Sequence, residues 1–190
     1  MTGGVWIETA RLILRTVSRD DIDAVALNWK LYEGPISRQE AETKVDWMLA
    51  NHRQNMPGKL AHLCLAIIDK NTQEWIGWCG LDHLDAKKVN PVLFYLLKTH
   101  CWGKGLATEA AEAVLAYAFE KLDLTRIDSA CAFENVASRR VMEKIGMKYM
   151  GLDEEGGHFF TLKREEYLEF TRSRPQSRNP KPHSSRHSFR

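Results

Sequence analysis

The sequence has no apolar run that approaches the roughly 20 residues needed to cross a membrane as a helix. Its opening, MTGGVWIETARL, lacks the basic and apolar segments of a secretory signal. It has no CxxC pair, and its four cysteines, Cys64, Cys79, Cys101 and Cys131, lie far apart without histidines at ligand-like spacing. We therefore expect a cytoplasmic protein with reduced thiols, no membrane partner and no metal site.

The chain also lacks an internal repeat and, before residue 171, a linker. Its last twenty residues, TRSRPQSRNPKPHSSRHSFR, contain six Arg and Lys and no acid, so residues 1–170 are mildly acidic although the formal net charge is +2. We predict one domain over residues 1–170. We predict a basic, disordered tail over 171–190, because it has too few apolar residues to bury. Weak, salt-sensitive attachment of this tail to RNA or another polyanion is the alternative role, and no other nucleic-acid partner is expected.

Hydrophobic periodicity predicts a mixed α/β domain. Helix starts are marked by Ser18, with acids after it, and by the capping-box pattern from Ser37 to Glu40. The polar turn between HLCLAIID and WIGWCGL predicts a hairpin, and PVLFYLL is typical of a strand buried on both faces. The predicted strands cover 11–17, 62–69, 75–81, 91–97, 126–133, 147–152 and 158–163. The predicted helices cover 18–29, 37–49, 107–122 and 135–146.

Residues 100–114, HCWGKGLATEAAEAV, place two glycines between the buried strand and a long amphipathic helix. The first turn of a helix leaves N–H groups without intrahelical partners, and the aligned peptide dipoles add positive charge there. Gly103 and Gly105 let the backbone approach a ligand closely, and Lys104 adds a cation. This pattern predicts a phosphate or pyrophosphate site. The alternative is a tight turn that uses glycine only for its conformation.

Two other phosphate-binding loops fit this stretch less well. It lacks the GxxxxGK[ST] pattern of a P-loop. A dinucleotide-binding loop needs GxGxxG or GxGxxA, and here Thr108 stands at the third small position, although Asp128 is well spaced for a ribose contact. Such a unit usually begins its domain, whereas two predicted helices and three predicted strands come first here.

The loop resembles the acyl-CoA loop of the GNAT superfamily of N-acetyltransferases, [QR]xxGx[GA], at Gly105 and Ala107 and departs from it at Trp102. WGKGLATEA is similar to the WGKGxATEA of a branch that resembles the ribosomal-protein alanine and serine N-acetyltransferases. ETARLILRTVSRDD, ENVASRRVMEKIGM and FFTLKREEY resemble further segments of that branch in the same order, so the resemblance covers most of residues 5–168. It implies a central, mostly antiparallel twisted sheet that is splayed at the acyl-CoA site and flanked by helices.

The resemblance also implies a set of contacts with acetyl-CoA. The backbone of the buried strand would bind the pantetheine arm, and N–H groups of the loop would bind the pyrophosphate. Asn135 matches a side chain that meets the pantetheine, or it is only an N-cap, and Ser138 matches a serine near the thiol. Arg139, Arg140 and Lys144 could reach the adenosine phosphate or form a solvated basic face. The implied cofactor-binding residues are Tyr95, Leu96, Leu97, Trp102, Gly103, Lys104, Gly105, Leu106, Ala107, Thr108, Asn135 and Ser138.

Two departures from the resembling proteins concern catalysis, a Glu that many members of the branch carry and a Tyr that many other GNAT enzymes carry. The strand pattern ExGYW has Val92 in place of Glu and Phe94 in place of Gly, and the helix NVASRRVMEKIG has no tyrosine to act as an acid. Ser138 is the remaining acid candidate, or it is a small residue packed under the coenzyme. His83 could titrate near neutral pH and act as the base, and ordered water without one dominant base is the alternative. The candidate bases are Asp82, His83, Asp85 and Glu33.

The resemblance predicts direct transfer of the acetyl group of acetyl-CoA to a primary amine, which is either a protein N-terminus or a small molecule. The protein would act as a monomer or a homodimer. A non-catalytic module that binds acyl-CoA is the alternative. The acidic body weakly favours a cationic acceptor. The aromatic residues that either line an acceptor pocket or belong to the core are Trp29, Tyr32, Trp47 and Trp78.

Overall fold

The computed structural model describes residues 4–29, 34–83 and 90–173, which contain eight strands and five α-helices. The strands are β1 (Trp6–Glu8), β2 (Leu12–Thr16), β3 (Leu63–Asp69), β4 (Trp75–Asp82), β5 (Val92–Leu97), β6 (Arg126–Cys131), β7 (Lys148–Leu152) and β8 (His158–Lys163). The helices are α1 (Ile22–Asn28), α2 (Arg38–His52), α3 (Leu106–Glu120), α4 (Val136–Lys144) and α5 (Arg164–Ser173). One sheet contains all eight strands in the order β1-β2-β3-β4-β5-β6-β8-β7.

Neighbouring strands in this sheet are antiparallel except β5 and β6, which are parallel. Their register consists of one pair, Val92 with Asp128. Asp128 N donates to Pro91 O at 2.9 Å, and Ser129 Oγ donates to the next strand at Leu93 O, 3.0 Å away. Beyond these contacts no strand pairing joins β5 to β6 among the described residues, so the sheet opens toward the carboxyl ends of these two strands. The predicted mixed α/β class and the splayed, mostly antiparallel sheet are confirmed.

Asp128 closes the narrow end of this opening. Its buried carboxylate accepts hydrogen bonds from Thr161 Oγ1 on β8 (2.7 Å) and Arg126 Nε on β6 (2.9 Å). It also accepts from Asn90 Nδ2, just before β5, at 3.1 Å. These three donors tie the starts of β5 and β6 together. They also occupy the carboxylate that a dinucleotide site would need for its ribose contact.

The two faces of the sheet carry separate apolar cores. Helices α3, α4 and α5 cover one face, where Val114 and Phe119 of α3 are fully buried. Helices α1 and α2 cover the other face, where Val25 and Val45 are fully buried. No helix within the described ranges is both long and apolar enough to span a membrane.

Two elements go beyond the sequence prediction. β1 has only three residues, too few to show alternation, and α5 follows β8 directly, without a capping residue between them. The strand predicted at 91–97 is fully buried only near its ends, because its middle residues, 94–96, are half-buried where β6 has diverged. α5 ends at Ser173, and the rest of the predicted tail, 174–190, lies outside the described residues.

Candidate functional site

The loop between β5 and α3 has a conformation that requires its glycines. Gly103 and Gly105 have φ angles of +73° and +75°, in the left-handed region that disfavours residues with a side chain. A Cβ added to Gly103 would meet no heavy atom within 4 Å, and one added to Gly105 would lie 3.6 Å from Arg11 Nη2. The glycines therefore serve the turn's conformation, and they also leave the surface at Gly103 open to a ligand.

The last amides of this loop and those of the first turn of α3 have no acceptor among the described residues. Among the described residues, none of the six amides from Gly103 to Thr108 donates to a backbone or side-chain acceptor. The first bond of α3 runs from Glu109 N to Gly105 O at 3.1 Å. Gly105 occupies the N-cap position and has no side chain to cap the helix. The described residues therefore leave the positive end of the helix without hydrogen-bond acceptors.

Trp102 differs from the residues after it. Its N–H donates to Thr99 O at 3.1 Å, because the chain leaves β5 through a 3-10 turn at Thr99–Cys101. Its indole Nε1 donates to Leu97 O at 2.9 Å. The amide predicted to begin the pyrophosphate site is thus engaged within the protein. The open amides begin at Gly103, and Trp102 instead ties the loop to the end of β5.

β5 presents an unpaired edge to the same region. Its other edge is paired with β4 in a regular register from Val92 to Leu97. Toward β6, residues 94–96 of β5 have no strand pairing among the described residues. Tyr95 and Leu96, whose backbone is predicted to bind the pantetheine arm, lie in this stretch. Leu97, the third predicted residue, follows it, and its carbonyl accepts from Trp102 Nε1. A ligand that carries amide groups could extend the sheet there.

The side chain of Tyr95 spans the opening, a contact for which the sequence gives no signal. Its hydroxyl donates to Ser138 O in the first turn of α4 at 3.1 Å. Burial raises the pKa of Tyr95 to about 12, although this hydrogen bond lowers it, so the phenol keeps its proton at neutral pH. Tyr95 therefore links the two sides of the opening, β5 and α4.

The start of α4 is capped by its own sequence. Asn135 Oδ1 accepts a hydrogen bond from Ser138 N at 3.0 Å, so Asn135 has the N-cap role. Arg139 Nε donates to Glu143 at 2.9 Å, and the Arg139 guanidinium lies 5.5 Å from the centroid of the Tyr149 ring. These contacts favour the solvated-face interpretation for Arg139. Contacts of Asn135 and Ser138 with the coenzyme stay predictions.

Asp82 ends β4 directly opposite Val92, the position at which the resembling branch has Glu. Residues paired in this way carry their side chains on the same face of the sheet, here the face that Trp78 shares and that α1 and α2 cover. The Asp82 side chain is 31% exposed and lies 3.3 Å from His62 Nδ1. Contact with His62 lowers the pKa of Asp82 despite its burial, so the carboxylate is ionised at neutral pH.

His62 is a residue that the sequence analysis did not single out. It is buried between Asp82 and Trp47, whose ring centroid lies 4.5 Å from that of the imidazole. Within the described part of the chain, neither ring nitrogen of His62 makes a hydrogen bond, and Nδ1 lies 3.3 Å from Asp82 Oδ1 without hydrogen-bond geometry. A single histidine just before an apolar strand gives no sequence signal for this placement, which depends on the register of β3 and β4.

His83 lies beside the same carboxylate but directs its ring elsewhere. Its backbone N donates to Asp82 Oδ1 at 2.8 Å, whereas its Nε2 lies 3.3 Å from Leu60 O. The other two base candidates, Glu33 and Asp85, lie outside the described residues. Asp82 is therefore the candidate base whose carboxylate the structure places most clearly.

The aromatic candidates divide between the core and the surface. Trp78 is only 3% exposed, packs edge-on against Trp29 with ring centroids 5.9 Å apart, and donates through Nε1 to Asn28 O at 3.3 Å. Trp78 is thus a core residue. Trp29 is half-buried and Trp47 is 48% exposed, whereas Tyr32 lies outside the described residues.

Comparison with known proteins gives consistent results for family and fold. The family model for an acetyltransferase (GNAT) domain matches residues 11–148. An uncharacterised N-acetyltransferase of Bacillus licheniformis is 28% identical over 149 residues, which cover 76% of this chain and 83% of that protein. A ribosomal-protein alanine acetyltransferase from Vibrio fischeri aligns with a TM-score of 0.71 at 17% identity, over 86% of this chain and 98% of that one. A spermidine/spermine N-acetyltransferase from Vibrio cholerae aligns with a TM-score of 0.64 at 21% identity, over 84% and 98% of the two chains. These two structures show likeness of fold alone.

Proposed function

This chain belongs to the GNAT family of acetyltransferases, which use acetyl-CoA as co-substrate, and on that premise we propose that it moves the acetyl group directly to a primary amine. One observation carries the proposal. Six consecutive amides, from Gly103 to Thr108, have no acceptor among the described residues, and they begin just after the strand that diverges from its neighbour. Such a run of donors matches the oxygens of a diphosphate.

The residues around the opening fit acetyl-CoA. Backbone N–H groups at a helix start bind anions by hydrogen bonding and through the helix dipole. The surface at Gly103 has room for phosphate oxygens, and Lys104 is exposed beside it. Residues 94–96 of β5, which have no strand pairing toward β6 among the described residues, offer backbone groups to the amides of the pantetheine arm. We infer that the loop holds the diphosphate and that residues 95–97 hold that arm.

When bound, acetyl-CoA supplies an acetyl thioester. The protein must hold a neutral amine near it and accept a proton from the amine nitrogen, which contributes to rate through positioning and general base catalysis. We propose Asp82 as the proton acceptor, because its ionised carboxylate lies on the face and at the strand end where the branch carries Glu. His62 holds that carboxylate, and His83 is the alternative base.

Two hydroxyl groups are candidates for protonating the departing thiolate. Ser138 lies in the first turn of α4, and the phenol of Tyr95 reaches the carbonyl of that same residue. Steady-state kinetics of Ser138→Ala and Tyr95→Phe separate them. A loss of kcat in only one variant assigns the acid, and unchanged kcat in both removes Ser138 and Tyr95 from this role.

We propose a cationic acceptor. Residues 1–170 carry a net negative charge, and the ionised Asp82 carboxylate would attract an ammonium group. Among the structures with this fold, one enzyme is named for a ribosomal-protein alanine and one for spermidine and spermine. Protein N-termini and polyamines are therefore the two acceptor classes to compare.

Release of free thiol from acetyl-CoA, measured with one acceptor at a time, tests the proposal. The panel contains peptides with N-terminal Ala or Ser, spermidine, and a neutral hydroxylated amine of similar size. We expect acetylation of at least one primary amine, with a higher kcat/KM for the cationic acceptors. Calorimetric binding of coenzyme A without acetyl transfer to any amine would instead favour the non-catalytic module.

A further inference from the structure

Glu109, in the first turn of α3, joins this helix to the turn between β1 and β2. Its Oε1 accepts hydrogen bonds from Thr9 Oγ1 at 2.6 Å and from Arg11 N at 2.8 Å. Its Oε2 accepts from Arg11 Nε and forms an ion pair with Arg11 Nη2, both at 2.7 Å. The Glu109 side chain is only 17% exposed. Glu109 and Arg11 are 98 positions apart in the sequence, so their contact depends on the tertiary fold.

Arg11 also contacts the loop before α3. Its Nη1 donates to Lys104 O at 2.8 Å, and its Nη2 lies 3.6 Å from the position that a Cβ on Gly105 would occupy. Arg11 is itself held against the sheet, because Lys70 N donates to Arg11 O at 2.9 Å. One guanidinium therefore connects the β1–β2 turn, the first turn of α3 and a carbonyl of the loop.

We propose that Thr9, Arg11 and Glu109 form a latch that keeps the loop in the shape that leaves its amides open, and that affinity for coenzyme A depends on this latch. Its members are positioning residues, since Arg11, whose side chain is 44% exposed, contacts the loop and Glu109, and Thr9 contacts Glu109. The inference rests on the proposed function, because it takes the loop to be the diphosphate site.

Conformational entropy is the first physical reason for the latch. Gly103 and Gly105 give the free loop many accessible backbone conformations, and ordering them would reduce the affinity for a ligand. A hydrogen bond to the carbonyl of Lys104, which lies between the two glycines, restricts those conformations before the ligand binds. The loop is then ordered in advance.

Charge is the second reason. The carboxylate of Glu109 lies in the same helical turn as the open amides, where an unpaired negative charge would repel a diphosphate. Arg11 neutralises this charge. Removing Arg11 should therefore weaken binding more than removing the charge of Glu109, an asymmetry that a purely structural ion pair would not produce.

Calorimetric titration of the full-length protein with coenzyme A tests the latch. We expect Arg11→Met to raise the Kd by about tenfold, because it breaks a charged hydrogen bond to the loop and leaves Glu109 unneutralised. Glu109→Gln should raise the Kd less. The double variant lacks the hydrogen bond to Lys104 O but has no unpaired carboxylate, so its Kd should lie between those of Glu109→Gln and Arg11→Met. Arg11→Lys keeps the charge with fewer contacts. Its Kd for coenzyme A should lie between those of the wild type and Arg11→Met. If Arg11→Met does not fold, Arg11→Lys takes its place in the test.

Glu166 provides a matched control. Its carboxylate accepts hydrogen bonds from Lys148 Nζ at 2.6 Å and Lys163 N at 3.0 Å, a similar set of one cation and one backbone amide, but it lies on α5. Glu166→Gln should leave the Kd for coenzyme A unchanged. Pantetheine, which lacks the diphosphate, is the matched ligand, and its Kd should be the same in the wild type and in the latch variants.

Three outcomes would contradict the proposal that the latch positions the loop. If Gly103→Asp weakens coenzyme A binding and the latch variants do not, the loop is the diphosphate site but the latch does not position it. If neither kind of variant weakens binding, the proposed diphosphate site fails together with the latch. If the latch variants weaken coenzyme A and pantetheine equally, their effect comes from a general loss of structure.

Discussion

Helices α3 and α4 begin on the two sides of the opening between β5 and β6, and their starts are built differently. At α4, Asn135 Oδ1 accepts Ser138 N, as in an ordinary capped helix. At α3, Gly105 has no side chain to offer, and the amides from Gly103 to Thr108 have no acceptor in the described part of the chain. The capped start serves the stability of its helix, and we propose that the uncapped start is kept for a ligand.

The open start has a cost that the core offsets. An N-cap side chain typically stabilises a helix by about 1 kcal/mol, and α3 lacks one. However, α3 buries a broad apolar face that includes Val114 and Phe119, both fully buried, whereas Met142 is the one buried residue of α4. Because packing supplies most of the stability of a helix in a protein, α3 can leave its first turn open.

The largest expected effect is a loss of kcat on removal of Asp82, which lies away from both helix starts. Asp82 lies beside the start of β5, whereas the loop follows the end of that strand. Asp82→Ala should lower kcat by about 100- to 10,000-fold, the usual contribution of a general base, and should leave the KM for acetyl-CoA unchanged. Steady-state kinetics measure both quantities, and added formate should restore part of kcat by replacing the carboxylate.

The control for this variant is Asp46→Asn on α2, since the Asp46 side chain is 53% exposed and pairs only with Arg19 among the ion pairs of the described residues. Its kcat should equal that of the wild type. An unchanged kcat in Asp82→Ala would remove Asp82 from the mechanism and leave His83 or ordered water as the proton acceptor.

The next largest effect is a loss of coenzyme A affinity when a carboxylate is placed beside the open amides at the start of α3. Gly103→Asp places a carboxylate beside the free amides, where it competes with a diphosphate and repels it. We expect the calorimetric Kd for coenzyme A to rise by about 100-fold, as for like charges placed together at a binding site. Gly103→Ala is the control and should cost about 1 kcal/mol of stability at this left-handed φ, with a much smaller change in Kd. Equal affinities in the two variants would contradict an anion site.

Removing the cap of α4 should have a smaller effect, which is on stability. Asn135→Ala removes the cap of α4 and should lower the free energy of unfolding in urea by about 1 kcal/mol, whereas Asn135→Ser retains a capping oxygen and most of the stability. If Asn135 only caps, both variants keep the wild-type Kd for coenzyme A. A raised Kd in both would show instead that its side chain also meets the pantetheine arm.

The smallest expected effect is a difference in pH dependence between the two starts. Burial raises the pKa of Glu109, but hydrogen bonds from Thr9 and Arg11 outweigh it and bring the pKa below the ordinary value of 4.5. The resulting stability is complete above pH 4.5 and is lost as the pH falls through the lowered pKa. The difference in unfolding free energy between the wild type and Glu109→Gln should therefore shrink below pH 4.5.

At α4 the corresponding difference, between the wild type and Asn135→Ala, should show no such titration, because an amide cap does not ionise. Both differences come from urea unfolding at a series of pH values from 6 downward. A Glu109 difference that stays constant over that range would mean that ionisation of this carboxylate does not support the fold.

Most elements of the fold could be predicted because their signals are local. Apolar periodicity indicated every strand except β1, which is three residues long, and every helix except α5, which continues directly from β8. The glycines at 103 and 105 indicated a turn into α3, and Asn135 indicated a cap, since both features depend on neighbouring residues. The open amides were predicted to begin at Trp102, but they begin at Gly103. The 3-10 turn that engages the Trp102 amide has no distinct sequence pattern.

The sequence by itself determined where α3 begins, that its start has no capping side chain, and which family the loop resembles, since helix starts and turns depend on residues a few positions apart. Only the tertiary structure decided that Arg11 and Glu109 meet behind the loop and that Asp82 lies opposite Val92. These contacts join distant segments, and they follow from strand register and from the packing of helices on the sheet, which no short stretch of sequence specifies.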